Sequence, residues 1–261
     1  MDLKEIKLEL IHKQLGAQII SFDDFFYISP ILPNEPTSHR AGIPVIFPQF
    51  AERGILKKHG LVRNLNWELL SHEKDAHTTK LHYSLRINSG DDPSWPYSAR
   101  LDLRFAFQPD QLSVEMMICN TGSDEFEWAG GLHPYFSVEN ILECKIEGFE
   151  NCLSDNKYDS FQTIFENEIV MFDGEPYETL FNSVAPVRLV TPHRNYILRA
   201  TGFNQWMVWN PGEAGAKDIY DLPNDDWRKF ICVEPLIVSP KNKLKTGENF
   251  IGTFTIEKSK N

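Results

Sequence analysis

The sequence predicts an all-β fold, either a sandwich or a barrel, from three observations. Apolar side chains recur with a period of two, as in residues 98–107 and 111–119, where they alternate with polar ones. Such alternation is typical of half-buried strands. Turn signals containing Pro, Gly, Asn or Asp separate the runs, and no long amphipathic helical pattern is present. We therefore expect many short strands and little helix.

Each predicted strand is an apolar run bounded by turn residues. These runs occupy residues 4–11, 98–107, 111–119, 187–190, 206–209, 230–238 and 250–256. Turn signals stand at residues 108–110, 120–122, 173–174, 191–193 and 210–212. Short helical turns are expected near residues 137–141 and 225–229, and residues 89–97 are expected to form a loop tip. No repeat or flexible linker divides the chain, so residues 1–261 are expected to form a single domain.

Composition and charge narrow the class of partner. With 261 residues the chain can bury a full core. A net charge of −11 argues against nucleic acid or an anionic membrane as partner. The first residues alternate charged and apolar side chains and do not resemble a signal peptide, and no segment is apolar for long enough to span a membrane. We expect a cytoplasmic monomer whose four cysteines are reduced.

One segment of this acidic chain is basic. Between Arg40 and Arg63, five basic residues face one acidic residue, a net charge of +4, so the rest of the chain carries −15. Guanidinium and ammonium groups gathered in this way can bind an anion. The alternative is an exposed loop whose charges are merely solvated, which is the commoner explanation of a charge run.

Two further segments carry groups able to transfer protons. His133 lies among glycines and aromatic residues, and its ordinary pKa near 6.5 suits a general acid; a hydrogen-bonded core histidine is the alternative. Glu234 lies in an apolar strand, where burial would raise its pKa and make it a competent base near pH 7. An exposed position on an edge strand, which Pro235 permits, is the alternative.

Other chemistries find no support in the sequence. His72, His77 and His82 recur every five residues, a spacing that puts no three on one face, so we expect no metal site. The chain has no Walker loop, dinucleotide fingerprint, nucleophile elbow or HExxH motif. Neither a nucleotide nor another cofactor is expected.

Several segments together resemble the aldose 1-epimerase family, within it the hexose-6-phosphate mutarotase (glucose-6-phosphate 1-epimerase) branch. The matching blocks follow in the family's order: RAGIP at 40–44, FPQF at 47–50, HGLVRN at 59–64, LHPYF at 132–136, VWNP at 208–211, DDW at 225–227 and CVEP at 232–235. The resemblance implies an antiparallel β-supersandwich of the galactose mutarotase-like type, with a sugar bound in an open cleft on one sheet.

The resemblance also implies roles for individual residues. His133 would be the general acid and Glu234 the general base that open and close the sugar ring. The expected substrate-binding residues are Arg40, Gln49, Lys57, Lys58, His59, Arg63 and Asp218. Arg40 would hold a phosphate, and the ligand would be a small sugar phosphate.

Three departures from the family pattern bear on the phosphate ligands. Ala41 stands where glycine is usual, Lys57 and Lys58 stand where Pro-Gln is common, and Pro134 stands where threonine is common. All three leave the proton-transferring groups in place. Three alternatives stay open: an epimerase of unphosphorylated aldoses, a non-catalytic carbohydrate-binding β-sandwich, and a regulatory protein that keeps the pocket but binds another chain.

Overall fold

The structure, a computed structural model, describes residues 9–156 and 163–259. Within these residues the chain forms nineteen strands, one short α-helix and three 3-10 turns. The strands are β1 Leu10–Lys13, β2 Gln18–Phe22, β3 Val45–Ile46, β4 Glu68–Lys74, β5 Thr79–Ile87, β6 Ala99–Gln108, β7 Gln111–Asn120, β8 Phe126–Leu132, β9 Tyr135–Ser137, β10 Lys145–Glu147, β11 Leu153–Asp155, β12 Thr163–Ile164, β13 Ile169–Met171, β14 Tyr177–Asn182, β15 Val187–Val190, β16 Asn195–Thr201, β17 Gln205–Asn210, β18 Phe230–Leu244 and β19 Asn249–Ser259. The helix is α1 Gly212–Ala216, and the 3-10 turns are Val62–Asn64, Ile141–Glu143 and Asp226–Lys229.

One sheet has nine strands in the order β13-β10-β15-β16-β19-β7-β6-β5-β4. Every neighbouring pair in it is antiparallel. Its centre is the meander β5-β6-β7, in which Gln108 pairs with Gln111 so that Pro109 and Asp110 close a two-residue turn. These are the segments with the clearest alternation of apolar and polar residues.

The second sheet has eight strands. Seven follow the order β12-β11-β14-β17-β18-β8-β3, and β9 pairs with part of β18 beside β8. Its pairs are also antiparallel. A small separate sheet is formed by β1 and β2.

The main core lies between the two large sheets. Aromatic contacts cross the gap: Trp128 of β8 packs against Phe250 of β19, with ring centroids 4.8 Å apart, and Trp206 of β17 packs against Phe254 of β19, with centroids 6.0 Å apart. These four side chains are at most 6% exposed. Burying such large rings supplies much of the apolar area that stabilises a sandwich.

The outer face of the eight-stranded sheet is also partly apolar. Along β18, Val233 and Ile237 belong to the main core, whereas Leu236 and Val238 belong to a second cluster. Because successive side chains point to opposite faces of a strand, the second cluster lies on the far side of the sheet. Its members are Ile46, Phe50, Ala129, Leu180, Met207, Leu236 and Val238. A buried patch on that face requires a covering, which the loops after β3 provide in part.

The predicted all-β, antiparallel fold is confirmed. The runs expected at residues 98–107, 111–119, 187–190, 206–209, 230–238 and 250–256 all fall in strands, and residues 226–229 form a 3-10 turn. The turn expected near 137–141 begins only at Ile141. Of the run at residues 4–11, residues 4–8 lie outside the described residues.

In the part of the chain that the structure describes, no helix is both long and apolar enough to cross a membrane. The single domain stays a prediction.

Candidate active site

A cleft of about 670 Å³ opens on the outer face of the eight-stranded sheet. Its floor is built from β14, β17 and β18, and its walls come from the loops after β2, β3 and α1. The lining includes Arg40, Lys57, Lys58, His59, Arg63, His133, Tyr135, Glu178, Met207, Trp209, Asp221 and Glu234. Seven of the nine residues predicted as site residues therefore meet in one cleft.

Glu234 occupies the centre of the floor. It lies on β18 opposite Met207 of β17, and its side chain is 2% exposed. The edge-strand alternative is therefore wrong, since β18 pairs on both sides. Burial raises the pKa of Glu234 well above its ordinary value, and Glu178 raises it further. A carboxyl group held in this way is protonated more readily than one in water.

His133 follows β8 directly and lies beside Glu234. Its Nε2 atom is 3.5 Å from Oε1 of Glu234, and its side chain is 7% exposed. Burial lowers the pKa of His133 well below its ordinary value, and the positive charges of Arg63 and Arg40 lower it further. The Nδ1 atom of His133 and the Oε2 atom of Glu234 have no hydrogen-bond partner among the described residues. Both pKa shifts favour the uncharged forms of the two groups.

Two glycines bring these strands close together. A side chain on Gly131 would overlap the carbonyl oxygen of Pro235, and one on Gly130 would overlap that of Ile46. Their φ angles of +149° and +153° also favour glycine. The Gly-Gly pair therefore lets β8 lie tightly between β3 and β18, which places His133 beside Glu234.

His59 stands on the loop between β3 and β4. Its φ of +66° is left-handed, an uncommon conformation for a residue with a side chain. The backbone N–H of Ala51 donates to its Nδ1 atom at 3.3 Å, so Nε2 carries the proton. Burial and the neighbouring His133 hold the pKa of His59 well below its ordinary value. The ring therefore offers the cleft a neutral N–H donor.

Arg40 is held by two residues of the cleft. Its Nε and Nη2 atoms donate to Oδ1 of Asp221 at 3.0 and 2.8 Å, and its Nη1 atom donates to the Tyr135 hydroxyl at 3.0 Å. The ring of Tyr135 lies flat on that of His133, with centroids 4.7 Å apart and planes 6° apart. Three of the five guanidinium N–H groups are thus already engaged.

The other basic residues divide into buried and exposed groups. Arg63 is partly buried, and its Nε atom has no hydrogen-bond partner among the described residues. Lys58 lines the cleft with an exposed side chain. Lys57 is 76% exposed and lies 3.5 Å from Glu35. Both lysines thus line the cleft with exposed, solvated side chains, whereas Arg40 and Arg63 are partly buried in it.

Gln49 does not reach the cleft. Its Nε2 atom donates to the backbone oxygens of Ala51 and Leu56, both at 3.1 Å, and its Oε1 atom accepts from the N–H of Leu56 at 3.0 Å. With both ends of the amide engaged, Gln49 braces the loop that carries His59. Its predicted contact with substrate stays a prediction.

Asp218 is exposed and is not among the residues that line the cleft. Asp221, three residues later, does line it and binds Arg40. The predicted contact of Asp218 with substrate stays a prediction. The loop after VWNP gives no periodic pattern from which the position could be chosen.

Among the residues of the cleft that were not predicted from the sequence are Tyr135, Glu178 and Trp209. Tyr135 and Trp209 lie inside the matching blocks, and alternation along each strand could have indicated them: Tyr135 is two residues after His133, and Trp209 two residues after Met207. Glu178 pairs with Trp209 across β14 and β17. No motif surrounds Glu178, and only the strand register brings it to the cleft.

One group of side chains in the described residues is suited in type to a metal. Atoms of His133, Cys232 and Glu234 lie within 4.8 Å of one another, and all three residues are buried. Two of these are the groups that proton transfer would use, and a cation would occupy the same lone pairs. The absence of a resident metal stays a prediction.

The fold and the site together define a class: a β-supersandwich with a buried histidine–glutamate pair in an open cleft. A sequence profile of the aldose 1-epimerase family matches residues 10–257. The chain therefore belongs to the aldose 1-epimerase family, whose members are mutarotases.

Individual relatives agree with this. A curated protein of Cenchrus ciliaris, provisionally named glucose-6-phosphate 1-epimerase, is 27% identical over 92% of this chain and 78% of its own length. A protein of Escherichia coli with the same provisional name is 28% identical over 88% of this chain and 80% of its own.

Solved structures show the same fold. The crystal structure of YeaD from Salmonella typhimurium, provisionally described as a mutarotase, aligns with a TM-score of 0.86 at 22% identity, covering 98% of this chain and 89% of that one. A galactose mutarotase-like protein from Lactobacillus casei aligns with a TM-score of 0.72 at 14% identity, covering 99% of both chains.

Proposed function

We propose that the protein interconverts the α and β anomers of a hexose 6-phosphate, the reaction of a glucose-6-phosphate 1-epimerase. The observation that carries the proposal is the position of the His133–Glu234 pair in a cleft that Arg40 and Arg63 also line. The pair suits ring opening, and the arginines suit an anionic substituent of the sugar.

Ring opening requires two proton transfers. The Glu234 carboxylate takes the proton of the C1 hydroxyl while the His133 imidazolium donates a proton to the ring oxygen O5. The C1–O5 bond breaks, C1 becomes an aldehyde, and O5 becomes a hydroxyl group. After rotation about C1–C2 the hydroxyl attacks the other face of the aldehyde. Glu234 then returns its proton to the C1 oxygen, and His133 recovers the proton of O5.

The proposed cycle needs one proton on the His133–Glu234 pair, and that proton must be on His133 when ring opening begins. The raised pKa of Glu234 and the lowered pKa of His133 both favour the form with the proton on Glu234. Moving it to His133 across their 3.5 Å separation yields the reactive form without any change in net charge. An anionic substrate favours this step, because it offsets the charges of Arg63 and Arg40 that depress the pKa of His133.

The phosphate is assigned chiefly to Arg63. Arg40 already donates to Asp221 and Tyr135, whereas the buried Nε atom of Arg63 has no partner among the described residues. Lys58, at the mouth of the cleft, adds a second positive charge. His59 offers an N–H donor and Glu178 a carboxylate to the sugar hydroxyls.

The test is the rate of anomer exchange of glucose 6-phosphate, measured by NMR exchange spectroscopy with and without the protein. Free glucose is the parallel substrate, and Glu234→Gln is the control for catalysis by the pair. We expect acceleration of the phosphorylated sugar that is lost in the variant. Equal acceleration of both sugars would instead favour an epimerase of unphosphorylated aldoses. Acceleration of neither would favour a carbohydrate-binding protein.

A further inference from the structure

Four side chains form a continuous chain of contacts that ends at the general acid. Asp221 binds Arg40, Arg40 binds the hydroxyl of Tyr135, and the ring of Tyr135 covers that of His133. We propose that Asp221 is a positioning residue which, through Arg40 and Tyr135, fixes the orientation of the His133 imidazole. For its effect on turnover the inference rests on the proposed function, whereas its effect on the ring of His133 does not.

The first contact is rigid because both of its ends are anchored by Ser29. The N–H of Ser29 donates to the backbone oxygen of Arg40 at 3.0 Å, and its hydroxyl donates to that of Asp221 at 2.6 Å. Ser29 is 1% exposed. The two chain segments that carry the ion pair are therefore tied together independently of the pair itself. Asp221 in turn holds the guanidinium by two charge-assisted hydrogen bonds in a partly buried setting, which fixes the plane of the group.

The second contact transmits that position to the histidine. Arg40 Nη1 lies 3.0 Å from the Tyr135 hydroxyl, and the guanidinium carbon lies 5.8 Å from the centre of the Tyr135 ring. Tyr135 also sits on β9, opposite Cys232 of β18, so its backbone is held in the sheet. The remaining freedom of the ring is its rotation, which a hydrogen bond at the hydroxyl restricts.

The last contact matters because hydrogen bonds fix His133 poorly. Its Nδ1 atom has no partner among the described residues, and the backbone contact, from its N–H to the oxygen of Pro44, leaves the ring free to turn. Ring contacts therefore orient the imidazole: Tyr135 lies flat against it, while Trp209 and His59 meet it edge-on at 6.0 and 5.4 Å. A tilt of Tyr135 would move the acidic N–H relative to O5 of the sugar.

An electrostatic role for Asp221 would behave differently from a positioning role. Both hydrogen bonds from Arg40 go to one oxygen, Oδ1, and an asparagine can present a carbonyl oxygen at that place. Asp221→Asn therefore keeps the geometry and removes the charge, whereas Asp221→Ala removes both. A positioning role predicts that Asp221→Ala has a large effect on the His133 ring signals and on kcat, and that Asp221→Asn has a small effect on both.

The experiment compares Asp221→Asn, Asp221→Ala, Tyr135→Phe and the double variant Asp221→Ala/Tyr135→Phe. Asp102→Ala is the matched control, because Asp102 is a buried carboxylate paired with Arg100 at 2.8 Å on the other large sheet. Each variant is examined without substrate, by ¹H–¹⁵N spectra of the histidine rings, and in anomer exchange of glucose 6-phosphate.

We expect Asp221→Ala and Tyr135→Phe each to shift the ring signals of His133 and to lower kcat about 10- to 100-fold, since small misplacements of a catalytic group have effects of this order. KM should not rise, because Arg40 loses a competing carboxylate. The double variant should be no worse than the poorer single variant, as expected for residues acting through one path. Asp221→Asn should restore most of kcat. Asp102→Ala should alter neither kcat nor the His133 signals, although it should shift those of His82, whose Nε2 atom lies 2.9 Å from Asp102.

Several results would overturn the inference. These are unmoved His133 signals in both Asp221→Ala and Tyr135→Phe, additive losses in the double variant, or an Asp221→Asn variant as impaired as the alanine variant. If Asp221→Ala does not fold, Tyr135→Phe and Asp221→Asn still decide the question. If the wild-type protein exchanges no sugar, the proposed function fails, and the His133 signals still test the positioning.

Discussion

The Nε2 atom of His133 lies 3.5 Å from Oε1 of Glu234, and both side chains are almost inaccessible to solvent. Burial penalises the charged form of each group, so it raises the pKa of Glu234 and lowers that of His133. Two interacting groups this close titrate as a coupled pair. The proposed ring opening starts from the form of the pair that holds one proton.

The first prediction concerns the pH dependence of kcat/KM. If the two groups kept ordinary values of 4.5 and 6.5, the form with ionised Glu234 and protonated His133 would decline above pH 6.5. Because the pKa of Glu234 is raised and that of His133 is lowered, the pair gains its second proton only below pH 6.5 and loses its single proton well above pH 4.5. We expect the acidic limb of the profile to lie below pH 6.5 and the alkaline limb to lie well above pH 4.5. The measurement is anomer exchange between pH 5 and 9, corrected for the second ionisation of the phosphate near pH 6. An acidic limb at or above pH 6.5 would contradict the lowered pKa of His133.

The second prediction concerns stability. Because the pKa of folded Glu234 lies above its unfolded value near 4.5, its contribution is fully present below that pH and is lost as the pH rises towards the folded pKa. Glu234→Gln removes this loss, so the variant should be more stable than the wild type at pH 8 and nearly equal at pH 4. A pKa difference of one corresponds to about 1.4 kcal/mol. For a chain of this size each kcal/mol raises Tm by roughly 2–4 °C.

The measurement is thermal unfolding of both proteins at the two pH values. Glu150→Gln, at an exposed position, controls for the general effect of removing a carboxylate. A variant that is less stable at pH 8 would mean that Glu234 makes a stabilising contact in its ionised form, contrary to the assignment.

The strands were predictable where one sheet face is buried and the other is exposed. β6 and β7 alternate in burial along most of their length, which gives a clear period of two. β17 and the first half of β18 are buried on both faces, because their outer side forms the floor of the cleft and part of the second apolar cluster. Their sequences are therefore nearly continuous apolar runs. A single carboxylate such as Glu234 is conspicuous in a run of this kind.

The site was predictable where a residue lies within a recognisable block and not where only the register places it. His133, His59 and Arg63 stand in matching blocks and reach the cleft. Glu178 reaches it because β14 pairs with β17, a relationship between distant segments that alternation alone does not specify. Gln49 also lies in a matching block, but its amide hydrogen-bonds to the backbone of Leu56 in the neighbouring loop. The conformation of that loop decides this contact, and the block does not specify it.

The third prediction separates the basic residues. Arg63→Ala should raise KM for glucose 6-phosphate by about 10- to 100-fold with a smaller effect on kcat, because a charge-assisted contact to phosphate that is present throughout the reaction contributes mainly to binding. Lys57→Ala should change KM less than about threefold, since that lysine is 76% exposed and its charge is screened. The measurement is steady-state exchange at varied substrate concentration. Equal effects of the two substitutions would indicate that bulk positive charge, and not a defined ligand, attracts the phosphate.

The fourth prediction concerns the close approach of β8 and β18. Gly131→Ala would place a methyl group against the carbonyl oxygen of Pro235 at a φ of +149°, so the strands must separate at the point where His133 and Glu234 meet. We expect a loss of stability of about 2–5 kcal/mol, of the size seen for overpacking combined with backbone strain, and a loss of most anomer exchange in the molecules that remain folded.

Two other glycines supply matched controls for this substitution. Gly247 has a φ of +77° with no atom within 4 Å of the added Cβ, so Gly247→Ala tests backbone strain alone and should cost about 1–2 kcal/mol. Gly90 has open space and no positive φ, so Gly90→Ala should change stability little. Denaturant unfolding of the three variants gives the ranking. Gly131→Ala could prove no less stable than Gly247→Ala and retain anomer exchange. In that case the two strands tolerate a wider spacing, and the tight Gly-Gly contact does not set the distance between His133 and Glu234.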